Sequence, residues 1–453
     1  MRKNRKTAAV AAAILAAALL LTGCQETPSS LPPEESAASL GNSGETLTLT
    51  LAERKVSDER TAMLREIADK YEADFPETTV EIVSCETQEE VEQLLKEGKA
   101  QLAEVPDSEA FSYIRQGLLL NLDSDYRAWG ERGTLNNAAQ AAIATFGKDQ
   151  VYVIPSGFYQ DILYYRTDLV KPEKEDGPVK VRLWEEVIET GKALTDKEKG
   201  LYALAIAGGS DLYRFGDQLC WSNYGTGLLA DSGSGYYVNG PVAQTIFTMP
   251  GFEDALAFFK ELMETCVPEE ALGWNQEQAV EAFVQGETAM LIADQRAMET
   301  LETELEDGEW AAAAIPRGHA GMAVTTSGYA GWAVSADCED AGTAAHFLLF
   351  LSNSDNNTHF AKNTSLVPIH MDAADKEPAF SEGEFAIFTQ MAKHSDWYAY
   401  ASAPRMYEAF SDYRIEADAK YRAYLEGSLS QNGLITWLDD AWMKAYEEEG
   451  KLW

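Results

Sequence analysis

The sequence predicts an α/β fold, and three neighbouring features carry that prediction. Thr46 to Leu51 alternates Thr and Leu, the period of a half-buried strand. Met63, Leu64, Ile67, Ala68 and Tyr71 then share one helical face, and Pro76 follows where that helix should end. Val80 to Val83 reads as a second strand. Strand, helix and strand at this spacing form a βαβ unit, the building block of α/β sheets.

The alternation continues along the chain. Leu183, Trp184, Val187 and Ile188 mark a helix that runs toward Leu194. Phe252, Leu256, Phe259, Leu262 and Met263 mark another, with Glu253 and Asp254 in the first turn, where the helix dipole favours acids. Ala345 to Leu351 reads as a strongly apolar helix, and from Glu416 the pattern is helical nearly to the end, interrupted near Gly433. No internal repeat is visible.

The N-terminus has a different organisation. Arg2, Lys3, Arg5 and Lys6 precede an uncharged run from Thr7 to Gly23. A basic start, an apolar middle and small residues at the end form a secretory signal. The apolar core, Ala8 to Leu21, is short of the roughly 20 residues a spanning helix needs. Leu21-Thr22-Gly23-Cys24 resembles the lipobox of bacterial lipoproteins, which makes residues 1–23 a signal peptide and Cys24 the lipidation site. An uncleaved anchor helix is the alternative; either way the rest of the chain lies outside the membrane. Residues 25–44 are rich in Ser, Pro, Glu and Gly and cannot bury enough surface to order themselves, so 24–44 reads as an acylated Cys and flexible tether spanning roughly 25 Å. The expected location is the extracellular face of the cell membrane, lipid-anchored.

Composition narrows the partners. The chain has 36 Lys and Arg against 74 Asp and Glu; without the four leader cations the formal charge reaches −42. Such a surface repels phosphate backbones, which argues against nucleic acid and for solubility at a cell surface. About 410 globular residues exceed one ordinary domain, so two lobes are expected. Cys85, Cys220, Cys266 and Cys338 allow three pairings or buried free thiols, and none has the CxxC spacing of a metal site. The five His are scattered, so no metal or cofactor is expected.

The stretch "VYVIPSGFYQDILYYRTDLV" (151–170) reads as a short apolar strand, a Pro-Ser-Gly break and a second strand dense in aromatics. It resembles the signature of family-1 extracellular solute-binding proteins of ABC importers, the maltodextrin type, in which the chain crosses a hinge after a Pro. Leu163-Tyr164-Tyr165 matches that pattern, while Arg166 and Thr167 replace its usual Asn-Lys. Further similarities follow in order: "LWEEVIETGKALTDKEKGLYALAIAGG" (183–209), "AVEAFVQGETAMLI" (279–292), "AAIPRG" (313–318), "SGYAGWAVS" (327–335), "AAHFLLFLS" (344–352) and "LVPIH" (366–370). The resemblance covers nearly all of residues 46–453. It implies a two-lobe periplasmic-binding-protein-like fold of type II, with three interlobe crossings and a helical C-terminal region. By matching positions, lobe I takes 45–157 and 290–326, and lobe II takes 158–289 and 327–453.

Sugars present flat C–H faces and rings of hydroxyls, so a sugar cleft wants aromatic platforms with amide and carboxylate partners. The expected ligand-binding residues are Phe158, Tyr159, Gln160 and Asp161 past the Pro155 hinge, then Trp221, Asn223 and Tyr224 in "CWSNYGTG". Trp274 and Asn275 occupy a turn before a helix. Asp294 and Gln295, followed by Arg296, come after "AMLI"; Ser327 and Tyr329 precede Trp332, and Trp397 sits in a loop at 394–405. Trp332, Tyr164 and Trp184 are expected in the core.

A surface glycosidase would need two carboxylates flanking a bond, and nothing singles out a pair among the acids. No GxSxG, HExxH or Walker A motif occurs. "GTGLLA" (225–230) lacks the preceding apolar strand of a dinucleotide loop. The resemblance therefore implies a binding protein, not an enzyme: a monomer that takes a small-molecule ligand, a sugar, and delivers it to ABC permease subunits. A glycan-acting enzyme, a binder of polyamine or peptide, and a ligand-delivery module for a sensor kinase are the alternatives.

Overall fold

The computed structural model describes residues 46–146, 150–172, 179–209, 212–224, 236–238, 244–325, 327–394, 397–400 and 405–449. The signal peptide, Cys24, the tether and the 225–230 loop lie outside them. The described strands are β1 (Leu47–Arg54), β2 (Thr78–Cys85), β3 (Leu102–Pro106), β4 (Ile154–Gln160), β5 (Ile162–Arg166), β6 (Tyr202–Ala205), β7 (Thr288–Ala293), β8 (Trp310–Ala313), β9 (Ala323–Thr325), β10 (Ser327–Val334) and β11 (Tyr398–Tyr400).

They form a five-stranded sheet in the order β2-β1-β3-β10-β4, a four-stranded sheet β6-β7-β5-β8, and a ribbon of β9 with β11. The predicted βαβ unit opens the first sheet: β1 and β2 pair in parallel from Leu47 opposite Thr78 to Arg54 opposite Cys85. The helix between them, Asp58–Asp74, buries Leu64, Ile67, Ala68 and Tyr71. Its N-terminus is capped by the Ser57 hydroxyl, which accepts the Arg60 N–H.

Strand pairing reverses the expected division of the lobes after residue 290. β7 and β8 flank β5 in the second sheet, with Ile162 opposite Ala293 and Leu163 opposite Ala313. β10 inserts antiparallel between β3 and β4 in the first. Its fit there depends on Gly331, where a Cβ would lie 2.5 Å from the Ile154 carbonyl oxygen. The C-terminal helices are divided as well. Ala341–Leu351 and Ser354–Asn363 pack on the helix Asp58–Asp74, whereas Phe410–Leu425 packs on the helices Leu212–Tyr224 and Phe252–Cys266, and Gln431–Glu449 on Phe410–Leu425 and Phe252–Cys266. The break between the last two helices falls at 426–430, leaving Gly433 inside the second.

The hinge is also displaced from its expected place at Pro155. β4 runs through Pro155-Ser156-Gly157 without ending, because it is the edge strand of its sheet and a missing N–H is tolerated there. A register shift opposite Ala330 and Gly331 absorbs the extra residue. The chain leaves the first sheet at Gln160 and enters the second at Ile162, so Asp161 alone separates them.

Tyr164, Trp184 and Trp332 are buried, as expected. Beside Trp332 the buried Arg60 guanidinium pairs with both Glu53 and Glu104 and lies 5.9 Å from the Trp332 ring and 5.4 Å from Phe360. All four described cysteines are free thiols, buried at Cys85, Cys220 and Cys266 and half-buried at Cys338. Among the described residues, no helix is long and apolar enough to cross a membrane.

Candidate functional site

In open α/β sheets, ligand sites lie beyond the carboxyl ends of the strands. Here the carboxyl ends of β3 and β7 converge on the crossing strand. Asp107, just past β3, donates its backbone N–H to the Tyr329 carbonyl at 3.0 Å, and Tyr329 pairs with Phe158. Gln295, just past β7, donates its side-chain amide to the Phe158 carbonyl at 2.8 Å and accepts the Gln160 N–H at 3.1 Å. One buried amide therefore ties the second sheet to the last residues of β4.

Tyr159, between those two contacts, is half-buried. Arg296 lies across its ring at 4.6 Å. Behind Arg296 stands the buried Asp294, whose carboxylate accepts Nε at 3.0 and 3.1 Å and Nη2 at 2.5 Å. This bond to Asp294 raises the Arg296 pKa and fixes its charge. Gln276, at the start of the helix Gln276–Val284, donates to the same carboxylate at 3.1 Å. Asp161, at the crossing itself, faces Arg214 at 3.7 Å. Asp107 forms an ion pair with Arg405, whose pKa burial lowers to about 10.

Aromatic platforms are fewer than the composition suggested. Trp397 is 45% exposed, stacked on His394 at 4.9 Å, with the Arg317 guanidinium 4.9 Å from its ring. Trp274 is half-buried at the end of the turn Glu269–Gly273. Its carbonyl accepts the Gly209 N–H at 2.8 Å, an approach that a Cβ on Gly209 would block. Tyr329 is half-buried, edge-on to Phe158, and burial raises its hydroxyl pKa.

Four expected ligand contacts have structural roles instead. Trp221 is 1% exposed and stacks on Tyr236, so it belongs to the core. Phe158 is buried, its ring edge-on to Tyr329 at 5.8 Å. Asn223 bonds the Leu219 carbonyl and the His319 N–H at the end of its helix. Asn275 caps the next helix by accepting the Gln278 N–H at 2.9 Å. The side chains of Tyr224 and Ser327 lie outside the described residues. Tyr159, Gln160, Asp161, Asp294 and Gln295 are brought together around the crossing. Arg214, Arg296 and Gln276 complete that cluster; only Arg296 had a signal, its position beside Asp294 and Gln295.

Comparison with known proteins follows the same lines. The sequence matches the bacterial extracellular solute-binding protein family over residues 66–389, more than two thirds of the chain. No curated protein sequence matches. Among solved structures, a cyclo/maltodextrin-binding protein complexed with maltotetraose is 15% identical and superposes with a TM-score of 0.71, covering 90% of this chain and 99% of that one. The sugar-binding protein MalE of Xanthomonas citri is 13% identical with a TM-score of 0.72, covering 89% and 98%. An extracellular solute-binding protein from Staphylococcus aureus in complex with maltose is 16% identical with a TM-score of 0.68, covering 90% and 99%. These likenesses establish a shared two-lobe α/β fold. With the family match over most of its length, this chain belongs to the bacterial extracellular solute-binding proteins.

Proposed function

We propose that the protein is the lipid-anchored binding component of an ABC importer, capturing a mono- or oligosaccharide between its two sheets and handing it to the permease. The observation that carries this reading is the construction of the crossing. One residue, Asp161, joins two sheets, and beside it Arg296, just past the second sheet, lies over Tyr159 of the first. A ligand there touches both lobes only when they close, so binding shifts the population toward the closed form. Trp397 and Trp274 supply stacking faces, while Asp161, Asp294 and the arginines supply partners for hydroxyls. The named relatives that hold maltotetraose and maltose support a sugar as the ligand class. Cys24 carries the lipid, and the tether lets a monomeric binding unit turn toward its permease. The protein returns its ligand chemically unchanged.

The test is the melting temperature of the chain from residue 45 onward, recorded against sugars, oligosaccharides, amino acids, polyamines and peptides. Ligand at 100 times its Kd adds about 2.7 kcal/mol of stability. A shift with one glycan class, and intact glycan recovered afterwards, is the expected outcome. Cleaved glycan would replace this reading with an enzyme. A shift only with amines or peptides would remove the saccharide assignment.

A further inference from the structure

We infer that the sugar ligand carries an anionic oxygen group (a carboxylate, phosphate or sulfate) and that Arg182 and Arg317 bind it beside the Trp397 ring. The inference rests on the sugar-binding reading above and adds to it the charge class of the ligand. Trp397 stands at one end of the ribbon of β9 with β11. Its carbonyl accepts the Ala323 N–H at 2.7 Å, and Tyr398 pairs with Ala323. Four residues after Ala323, Ser327 opens β10 opposite Gln160, so the ribbon leads from Trp397 to the crossing. The Arg317 guanidinium lies 4.9 Å from the Trp397 ring. Stacking occupies only its flat face and leaves the N–H edge available to an acceptor. Arg182 is the backbone neighbour of Arg317, whose N–H its carbonyl accepts at 2.9 Å. Burial raises the Tyr398 pKa, and the charges of Arg317 and Arg182 both oppose that shift, in keeping with two cations gathered at one place.

Two like charges on neighbouring segments are unfavourable until an anion joins them. Among the described residues no carboxylate pairs with either guanidinium, and the two acids that follow Arg182 are engaged elsewhere. Glu186 accepts the backbone N–H groups of Arg182 and Leu183, and Glu185 faces His319 at 3.7 Å. Arg317 is half-buried, where an unmatched charge costs more than it does in water. At the crossing, by contrast, Arg296 is matched by Asp294 and Arg214 by Asp161. The formal charge of −38 on the whole chain opposes an anion, yet charges beyond about 8 Å are largely screened at physiological salt. The two arginines therefore decide the local preference. Their planar forks match a carboxylate or a phosphate, and the exposed part of Trp397 offers a face to the sugar ring that carries it. An amine placed here would meet two cations.

The experiment is calorimetric titration with maltotetraose and cellotetraose as neutral probes, tetragalacturonate and tetramannuronate as carboxylates, glucose 6-phosphate and glucose 6-sulfate as esters, and inorganic phosphate alone. At least one anionic sugar should bind about tenfold or more tightly than either neutral tetrasaccharide, and which one binds names the anion. Arg317→Gln and Arg182→Gln should each weaken that sugar by about tenfold or more. Arg182 is exposed, so its variant guards against a misfolded Arg317 variant. Arg414→Gln removes the same charge from an exposed position on the helix Phe410–Leu425 and should change the affinity less than about twofold. A neutral tetrasaccharide bound as tightly as every anionic sugar overturns the inference while sugar binding stands. An affinity that both arginine variants leave unchanged, or that Arg414→Gln lowers equally, does the same. If no sugar of any charge binds, or inorganic phosphate alone does, the sugar reading falls and takes this inference with it.

Discussion

Gln295 accepts the backbone N–H of Gln160 at 3.1 Å, so a side chain from the second sheet holds the strand that leaves the first. The same amide donates to the Phe158 carbonyl, and both groups are buried. It acts as an extra rung of β-ladder at the point about which the sheets must move. Gln295→Ala removes both hydrogen bonds and should destabilise the protein by about 1–3 kcal/mol. Gln295→Glu, which cannot donate to Phe158 when ionised, should cost at least as much at neutral pH. Urea unfolding measures both; a midpoint unchanged in either variant would show that water replaces the clamp.

Two tryptophans that look alike in sequence should behave oppositely. Trp221→Ala opens a cavity beside Tyr236 and should cost about 3–5 kcal/mol. Trp397→Ala removes an exposed ring and its contact with Arg317, a loss of about 0.5–1 kcal/mol to the free protein. Ligand affinity should fall in the Trp397 variant and hold in any folded Trp221 variant. Paired denaturation and titration of the two variants check this; the reverse pattern would move the platform to Trp221.

Stability should decline as pH rises through neutrality. Asp217 is buried in the second lobe, where it accepts hydrogen bonds from Tyr236 and, at 2.6 Å, from Tyr421. Burial raises its pKa from 3.8 to about 7 against the pull of both hydroxyls. The folded carboxyl holds its proton more tightly than the unfolded one. Its stability contribution is therefore full below about pH 4 and is lost as pH rises through about 7. His370 has the opposite sign: burial lowers its pKa, so its contribution is present above the usual 6.5 and is lost as pH falls. Asp217→Asn should flatten the loss of Tm between about pH 5 and about pH 8 while leaving the histidine limb in place. Equal slopes in the two proteins would show that Asp217 is ionised throughout.

The chain from residue 45 should yield four titratable thiols when unfolded without reductant. In the native state only the half-buried Cys338 should react at an appreciable rate. Burial pushes the Cys266 thiol up to about 12 and raises Cys220 well above its usual value, which suppresses the reactive thiolate. A count of two in denaturant would establish a disulfide and contradict the geometry.

By itself the sequence determined the local elements and the family. Alternation in Thr46–Leu51, the single apolar face of Met63–Tyr71 and the order of short motifs sufficed, because backbone period and turn chemistry are local properties. Trp184, Trp332 and Tyr164 were legible as core residues for the same reason. Tertiary structure alone decided which sheet received each late strand. An apolar run such as "TAMLIA" suits either one, and its neighbour is chosen by pairing with residues more than a hundred positions away. It also decided that Trp221 would stack in the core while Trp397 stayed exposed, since each sits in a short stretch that mixes aromatic and polar residues. The matched pairs Asp161–Arg214 and Asp294–Arg296 differ for that reason too. The second joins near neighbours and shows in the sequence, whereas the first exists only because folding brings a helix from the second lobe against the crossing.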